Sequence, residues 1–130
     1  TPVVRDASSA GNLATLTVGE ASYTKVGNMV TVWLSLNDID TTGMTANNVI
    51  FVTGLPFAAT TKTGVFRNCG TVETTQITYT GYLVANIGEG ENSIIMRDVR
   101  SGAGILSMKV GDVTQTYADL STTITYETTA

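Results

Sequence analysis

Acidic side chains, tyrosines and a single tryptophan are the residues of this chain that could take part in chemistry, because the sequence contains no histidine. Without histidine, the usual general base is missing, and so are the serine and cysteine triads that depend on it. The one cysteine, Cys69, cannot form an internal disulfide or supply a structural zinc site. We therefore expect neither a metal ion nor a cofactor.

Glycoside hydrolysis needs only two carboxylates at a set separation, and the chain has eleven acidic residues. The acids on predicted loops or strand ends are Asp38, Asp40, Glu89, Glu91 and Asp98. Each of them also suits a turn or a solvent-exposed position, and for that reason we predict that the chain is not an enzyme. Asp38 and Asp40 could instead provide oxygen ligands for calcium, but the three residues that follow add no further acid.

An exposed aromatic side chain could stack on the apolar face of a sugar ring. Trp33 is the first candidate, because it alternates with aliphatic residues and should face away from the core. Tyr79 and Tyr82 should point to opposite faces of one predicted strand, so that one of them is exposed and joins Arg97 or Arg100 in a small glycan site. We predict that the ligand-binding residues come from these five. Burial of Trp33 at a subunit interface is the alternative.

Low charge and an acidic balance limit the partners of the chain. Charged residues make up 14% of the 130 residues, and the net charge is −4. No basic stripe is present to neutralise phosphates, so we expect no nucleic-acid partner. No apolar run reaches the length of a membrane span, so we expect no membrane insertion. Cys69 follows a run of mixed apolar and polar residues, and we expect its thiol to be buried and unreactive.

A β-hairpin over residues 23–36 should position Trp33. Gly27-Asn28 lies between two extended runs, and glycine at the first central position of a two-residue loop favours a type II′ turn. After the turn, aliphatic residues occupy every second position: Val30, Val32, Leu34 and Leu36. This alternation predicts a strand that buries its aliphatic face and carries Trp33 on the other face.

Turn signals about every ten residues divide the rest of the chain into further strands. The predicted strands cover residues 13–18, 48–52, 63–72, 76–87, 93–99, 105–110 and 121–126, with a turn at Gly19-Glu20 and a bulge at Gly81. Enrichment in Thr, Val, Ile and Tyr favours strands over helices. The pattern predicts an all-β fold, an antiparallel β-sandwich of the jelly-roll type with about eight or nine short strands.

The length of the chain predicts one domain. A chain of 130 residues can bury roughly two-thirds of its unfolded surface, which is enough for a core without disulfides. Residues 1–13 are small and polar and should form a linker or an N-terminal arm, and residues 14–130 should form the single β-sandwich domain. We expect the chain to be the C-terminal piece of a longer protein. Leu55 and Phe57, on either side of Pro56, should plug one end of the core.

Two motifs in the first half of the chain resemble a known family. The pattern Tyr-x-Lys-x-Gly-Asn-x-Val-x-Val over residues 23–32, followed by Gly-Leu-Pro-Phe at residues 54–57, resembles the C-terminal domains of bacteriophage tail fibres and tailspikes. The resemblance covers about residues 22–58, and both motifs are structural. It implies an all-β module at the distal end of a homotrimer, in an extracellular location on the virion. It assigns no ligand-contacting residue.

The residues and the resemblance together predict a non-catalytic distal domain of a phage tail fibre or tailspike. Its partners would be further copies of itself and a polysaccharide or lipopolysaccharide of the bacterial surface. One alternative is a structural domain that registers and caps the trimer and binds no ligand. Two others are a carboxylate-dependent glycan hydrolase and a bacterial lectin or adhesin domain.

Overall fold

The computed structural model describes residues 1–64, 67–114 and 116–129, and β-strands dominate it. In chain order the strands are β1 (Val3–Arg5), β2 (Thr15–Val26), β3 (Met29–Asp40), β4 (Phe51–Thr53), β5 (Asn68–Thr75), β6 (Tyr82–Ile87), β7 (Ile94–Val99), β8 (Leu106–Ser107) and β9 (Ala118–Glu127). A 3₁₀ turn at Val110–Asp112 lies between β8 and β9. In these residues, no helix is long and apolar enough to cross a membrane.

One antiparallel sheet contains all of these strands, in the order β1-β4-β7-β6-β5-β9-β3-β2, and β8 also pairs with β7. Strands β5, β6 and β7 follow one another, and β4 lies beside β7, which is a Greek-key arrangement. The two ends of the sheet approach each other where the Ala14 N–H, just before β2, donates to the Val4 carbonyl of β1 at 3.0 Å. The sheet is therefore nearly closed. The prediction of an all-β antiparallel sandwich with eight or nine strands is confirmed.

The hairpin formed by β2 and β3 has the predicted turn and the predicted faces. Val26 pairs with Met29, and of the two loop residues Gly27 alone has a positive φ, at 60°, as a type II′ turn requires. The four alternating aliphatic residues of β3 are buried, and Trp33 between them is 40% exposed. The placement of Trp33 on the outer face is thus confirmed.

A single strand, β2, replaces the predicted short strand and turn around residue 19. Val18 pairs with Leu36 and Glu20 pairs with Ser35, so Gly19 is the extra residue of a β-bulge. The predicted turn at Gly19-Glu20 is wrong, because β3 is long enough to pair with β2 on both sides of the bulge. Sequence signals for a turn and for a bulge are the same residue types, and the partner strand decides between them.

The second half of the chain departs from the predicted strand bounds. The predicted strand 76–87 begins only at Tyr82, and Gly81 lies just before it, where a Cβ atom would stand 1.9 Å from the Val99 carbonyl oxygen. Gly81 is therefore a point of close backbone approach, not a bulge within a strand. The predicted strand 105–110 is reduced to Leu106–Ser107, because the chain then enters the 3₁₀ turn. The predicted strand 63–72 includes residues 65 and 66, which lie outside the described residues.

Side chains from the inner face of the nearly closed sheet form the core, and Leu55 and Phe57 pack with them, as predicted. Leu55 is buried, and the ring of Phe57 packs edge-to-face against Tyr23 with centroids 5.8 Å apart. The Tyr126 hydroxyl donates to the Phe57 carbonyl at 2.9 Å, so β9 holds the plug in place. Cys69, by contrast, is exposed on β5, and the prediction of a buried thiol is wrong because residue 69 falls on the outward face of that strand.

The first thirteen residues contribute a strand to this sheet. Val4 of β1 is buried, and β1 pairs with β4 over three residues. The carboxylate of Asp6 then accepts hydrogen bonds from the Asn12 backbone N–H (2.7 Å) and from the Thr45 backbone N–H (2.9 Å). A segment expected to be a linker or an arm therefore packs against the domain within this chain.

Replacing Leu36 by alanine should lower the free energy of unfolding by roughly 2–5 kcal/mol, because Leu36 is fully buried and its loss leaves a cavity in the core. The matched control is Leu106→Ala, since the Leu106 side chain is 50% exposed and should cost less than about 1 kcal/mol. Urea denaturation of the two variants measures both values. Equal losses would contradict the assignment of the β3 aliphatic face to the core.

Candidate functional site

Trp33 lies in a row of residues that crosses the outer face of six strands. Opposite residues on neighbouring strands define this row, which runs Ser22, Trp33, Thr123, Thr71, Val84 and Arg97. Neighbouring strands are about 4.8 Å apart, so Trp33 and Arg97 are separated by roughly 19 Å along the sheet. The row brings together two of the predicted ligand-binding residues on one surface, at a distance that suits an extended ligand.

A second row runs parallel to the first and carries two carboxylates. It consists of Glu20, Ser35, Ser121 and Glu73, each opposite the next on strands β2, β3, β9 and β5. The Ser121 hydroxyl hydrogen bonds to the Ser35 hydroxyl at 3.3 Å. By strand spacing, the backbones of the two glutamates are roughly 14 Å apart, with the two serines between them.

Between these rows the surface forms a shallow groove of about 460 Å³, here called the Trp33 groove. Its outward side chains are the indole of Trp33, the carboxylates of Glu20 and Glu73, and the hydroxyls of Ser35, Thr71, Ser121 and Thr123. No lysine or arginine occurs among the described residues that line it. The groove therefore combines a flat apolar ring, several hydroxyls and two negative charges. These groups suit a neutral, hydroxyl-rich ligand and repel an anion.

Cross-strand hydrogen bonds hold the floor of the Trp33 groove. Thr122 lies on the inner side of β9 and donates to the Thr71 carbonyl of β5 at 2.7 Å. Thr31 lies two residues before Trp33 on the same face of β3. Its hydroxyl and the hydroxyl of Thr125 on β9 hydrogen bond at 2.8 Å. Because β3 and β9 are each paired on both sides, the positions of these side chains are set by the ladder and not by a loop.

Tyr82 is the third predicted residue on this surface. Its strand, β6, is next to β5, and alternation places Tyr82 on the same face as Val84, which pairs with Thr71. The ring is 60% exposed, the more exposed of the two predicted tyrosines. Trp33 and Tyr82 are thus two exposed aromatic rings on one face, separated by β9 and β5.

Tyr79 and Arg100 lie together in a different place. Tyr79 belongs to the loop between β5 and β6 and is 46% exposed, so the prediction that it shares a strand with Tyr82 is wrong. Together with Arg100 it lines a cavity of about 400 Å³ beside β8, which the exposed Leu106 also lines. The structure therefore divides the five predicted residues between separate surfaces.

Arg100 is held by a buried carboxylate. Asp98 is 2% exposed and accepts hydrogen bonds from the backbone N–H groups of Thr80 (3.0 Å) and Gly81 (2.8 Å) and from Arg100 Nε (2.9 Å). The Thr80 hydrogen bond, aided by the Arg100 and Gly81 contacts, outweighs burial and lowers the pKa of Asp98. Asp98 thus fastens the loop before β6, and Arg100 completes that structural contact.

The other acids singled out in the sequence lie in turns and near a strand end. Asp40 accepts the Thr42 backbone N–H at 2.9 Å, and hydrogen bonds from Thr42 lower the pKa of Asp40. Asp38 adopts a positive φ of 53° at the end of β3, next to Asp119 of β9. Glu89 and Glu91 lie in the turn between β6 and β7. No group of three potential metal ligands occurs in the described part of the chain.

Sequence reasoning missed most of the residues that line the Trp33 groove. Glu20 belongs to the predicted turn at Gly19-Glu20, and the predicted site residues do not include Glu73, Thr71, Ser121 or Thr123. Alternation within β5 and β9 was the available signal, because it puts Thr71, Glu73, Ser121 and Thr123 on the polar face of their strands. That signal cannot show which strands are neighbours.

Comparison of the chain with family models, with curated proteins and with solved structures found no match.

Stability should fall in acid because of Asp98 and Asp6, whose pKa values are both lowered in the folded state by hydrogen bonds from backbone N–H groups and neighbouring side chains. A lowered pKa contributes stability above the unfolded value of about 4, and this contribution is lost as the pH falls through the folded value. The urea concentration at the midpoint of unfolding should therefore fall as the pH is lowered below about 4.

The variant Asp98→Asn separates this effect from general acid denaturation. Asparagine turns an NH₂ group toward backbone donors, so the variant should be less stable than the wild type at pH 7. The gap should narrow below about pH 4, where the carboxyl of the unfolded wild type takes up a proton and the stabilisation by the charged carboxylate begins to be lost. Glu91→Gln, at an exposed position, is the control and should show no such gap. A gap that is the same at pH 7 and pH 3 would contradict the role of Asp98.

Proposed function

We propose that this chain is a non-catalytic binding domain that holds a bacterial surface glycan in the Trp33 groove. The observation that carries the proposal is the exposure of the only tryptophan, 40%, in the middle of a sheet face otherwise lined by hydroxyls and two carboxylates. An exposed indole on a rigid strand offers a flat apolar surface, and the surrounding oxygens offer acceptors and donors for sugar hydroxyls.

The charge of the groove narrows the ligand. Glu20 and Glu73 lie at opposite ends of one row, with no basic residue among the described side chains of the groove. An acidic sugar would be repelled there, whereas the hydroxyls of a neutral sugar can donate to both carboxylates. The ligand of this groove is therefore a neutral saccharide or neutral stretch of polysaccharide.

We further propose that the domain works as a homotrimer at the tip of a phage tail fibre or tailspike, on the outside of the virion. The motifs at residues 23–32 and 54–57 support this setting through their resemblance to such domains. Exposed apolar side chains at the hairpin tip, Val26 (73%) and Met29 (44%), are consistent with a contact between copies. In the alternative role, a structural domain that aligns and caps the three chains would use the same contact and bind no ligand.

Glycan hydrolysis is the second candidate function, because two glutamates share the groove. Glycosidases hold their two carboxyl groups about 5–9.5 Å apart, across the scissile bond. Here the glutamate backbones are roughly 14 Å apart, so the side chains would have to extend toward each other over Ser35 and Ser121. Release of reducing ends from the bound polysaccharide would favour this candidate over binding alone. A bacterial lectin or adhesin domain would bind a glycan in the Trp33 groove in the same way as a phage domain.

Trp33→Ala should weaken binding of a neutral oligosaccharide at least tenfold, because it removes the stacking surface at the centre of the groove. The control is Ile105→Ala, which truncates an exposed apolar residue outside the groove and away from the hairpin tip. Since Trp33 is the only tryptophan, its fluorescence in the wild type reports ligand contact directly. A panel of neutral hexasaccharides with different linkages supplies the probes.

The proposal would be contradicted by a panel member that binds the wild type without changing Trp33 fluorescence and binds Trp33→Ala equally well. A wild type that binds no panel member and no isolated bacterial polysaccharide would leave the structural role as the better account. Trp33→Phe should retain part of the affinity, since phenylalanine keeps a smaller stacking face.

The solution mass should be three times the 13.6 kDa of the chain, as measured by light scattering on a sizing column. Met29→Ala together with Val26→Ala should shift the mass toward the monomer, because both side chains are exposed at the hairpin tip. The matched control pair is Ile105→Ala with Leu106→Ala, which removes comparable exposed apolar surface near β8. A monomeric wild type would contradict the trimer but would leave glycan binding unaffected.

A further inference from the structure

A separate cavity of about 340 Å³ lies over the outer side of β6 and β7. Asn86 of β6, Ile95 and Arg97 of β7, and Arg67 just before β5 line it together with Phe51 of β4. Asn86 has the outward orientation of Val84, two residues before it, yet it is only 1% exposed. The cavity therefore contains polar groups that the surrounding residues shield from bulk water.

Two of these polar groups have no partner in the described part of the chain. The Oδ1 atom of Asn86 and the Nε atom of Arg97 are buried, and neither makes a hydrogen bond. The other side of the Asn86 amide is engaged, since Nδ2 lies 3.4 Å from the Asn68 carbonyl and 3.9 Å from Cys69 Sγ. One buried acceptor and one buried donor are thus left unsatisfied in the same cavity, and each costs free energy unless a ligand or water satisfies it.

Four charged side chains line the cavity: the guanidinium groups of Arg67 and Arg97 and the carboxylates of Glu89 and Glu91. Burial lowers the pKa of Arg97, and the charge of Arg67 lowers it further, so the two guanidinium groups act on each other. Neither forms an ion pair with the described residues, although the carboxylates of Glu89 and Glu91 also line the cavity. Two neighbouring cations without a carboxylate partner favour an anion between them, because an anion relieves their mutual repulsion.

We propose that this cavity binds a sugar that carries an oxyanion, either a carboxylate or a phosphate. The oxyanion accepts hydrogen bonds from the Arg97 Nε–H and from the Arg67 guanidinium, and a neighbouring sugar hydroxyl donates to Asn86 Oδ1. An anion without a hydroxyl would leave Asn86 unsatisfied, and a neutral sugar would leave the two cations unpaired. The unpaired Arg97 Nε–H therefore calls for the oxyanion of the ligand, and the unpaired Asn86 Oδ1 calls for its hydroxyl.

This site is distinct from the Trp33 groove and does not rest on the function proposed for it. Arg97 belongs to the row that starts at Trp33, but β9, β5 and β6 lie between the two residues. The Trp33 groove contains two carboxylates and no cation among its described residues, whereas this cavity contains two arginines, one with an unpaired buried Nε–H, as well as Glu89 and Glu91. The two sites should therefore select sugars of different charge, and either can fail without the other.

Titration with galacturonate tests the proposal, with galactose as the neutral ligand of the same shape. The binding constant is measured by calorimetry, and the Nε–H resonance of Arg97 is followed by NMR in the wild-type protein. We expect galacturonate to bind and to shift this resonance, and galactose to do neither. Arg97→Gln and Arg67→Gln should each weaken the affinity for galacturonate at least tenfold. Lys109→Gln, which removes an exposed positive charge elsewhere, should change it less than twofold.

Galactose 6-phosphate and inorganic phosphate separate the two sources of the oxyanion. Stronger binding of the sugar phosphate than of galacturonate, with the same loss in Arg97→Gln, supports the site and identifies phosphate as the oxyanion. Inorganic phosphate that binds as tightly as either sugar would overturn the role of Asn86 in sugar recognition. An Arg97 resonance that no anionic ligand shifts, or equal affinity for galactose, would overturn the proposal. Trp33→Ala should leave the galacturonate affinity unchanged, which keeps this test independent of the Trp33 groove.

Discussion

Alternation along β3 is the constraint on which both the core and the outer surface depend. Val32 and Leu34 are buried, and a strand can bury them only by turning Trp33 outward. β3 pairs with β2 on one side and with β9 on the other, so it cannot slip by one residue without moving Trp33 into the core. The exposure of a large aromatic residue is thus enforced by the packing of its neighbours. The strand register that buries the core residues therefore also determines which residues lie on the outer surface.

Loops that lack a strand partner are fixed by carboxylates instead. Asp98 accepts hydrogen bonds from the backbone N–H groups of Thr80 and Gly81. Asp6 does the same for Asn12, before β2, and for Thr45, in the loop between β3 and β4. Both carboxyl groups are almost fully buried, and hydrogen bonds to the charged form offset the cost of burying a charge. Gly81 is needed at this point, because any side chain there would strike the Val99 carbonyl. The acids that looked available for catalysis therefore include one that fastens the fold.

Features set by adjacent residues could be predicted from the sequence, whereas features set by strand pairing could not. The hairpin turn at residues 27–28 and the two faces of β3 follow from a few adjacent residues, and both are confirmed. Gly19 could not be distinguished from a turn, because only the length of the partner strand shows that the chain continues straight. Cys69 was misplaced because its face depends on the register of β5, which neighbouring residues do not reveal. Short-range signals determined the elements, and pairing determined their limits.

The outer surface shows the same division at the level of function. Glu20 and Glu73 are far apart in sequence, and they become the two ends of one row only because β3 and β9 lie between β2 and β5. Arg67 and Arg97 are likewise brought to one cavity by the pairing of β5, β6 and β7.

These two environments lie on one face, with Trp33 and Arg97 roughly 19 Å apart along the sheet. Two carboxylates and no cation line the described part of the Trp33 groove, whereas two arginines and two glutamates line the cavity at Arg97. If both proposals hold, an oligosaccharide with one acidic end and one neutral end binds across the strands in only one direction, because reversing it would place its acidic end between two glutamates. Strand order, which no local signal encodes, would then set both the specificity and the polarity of binding.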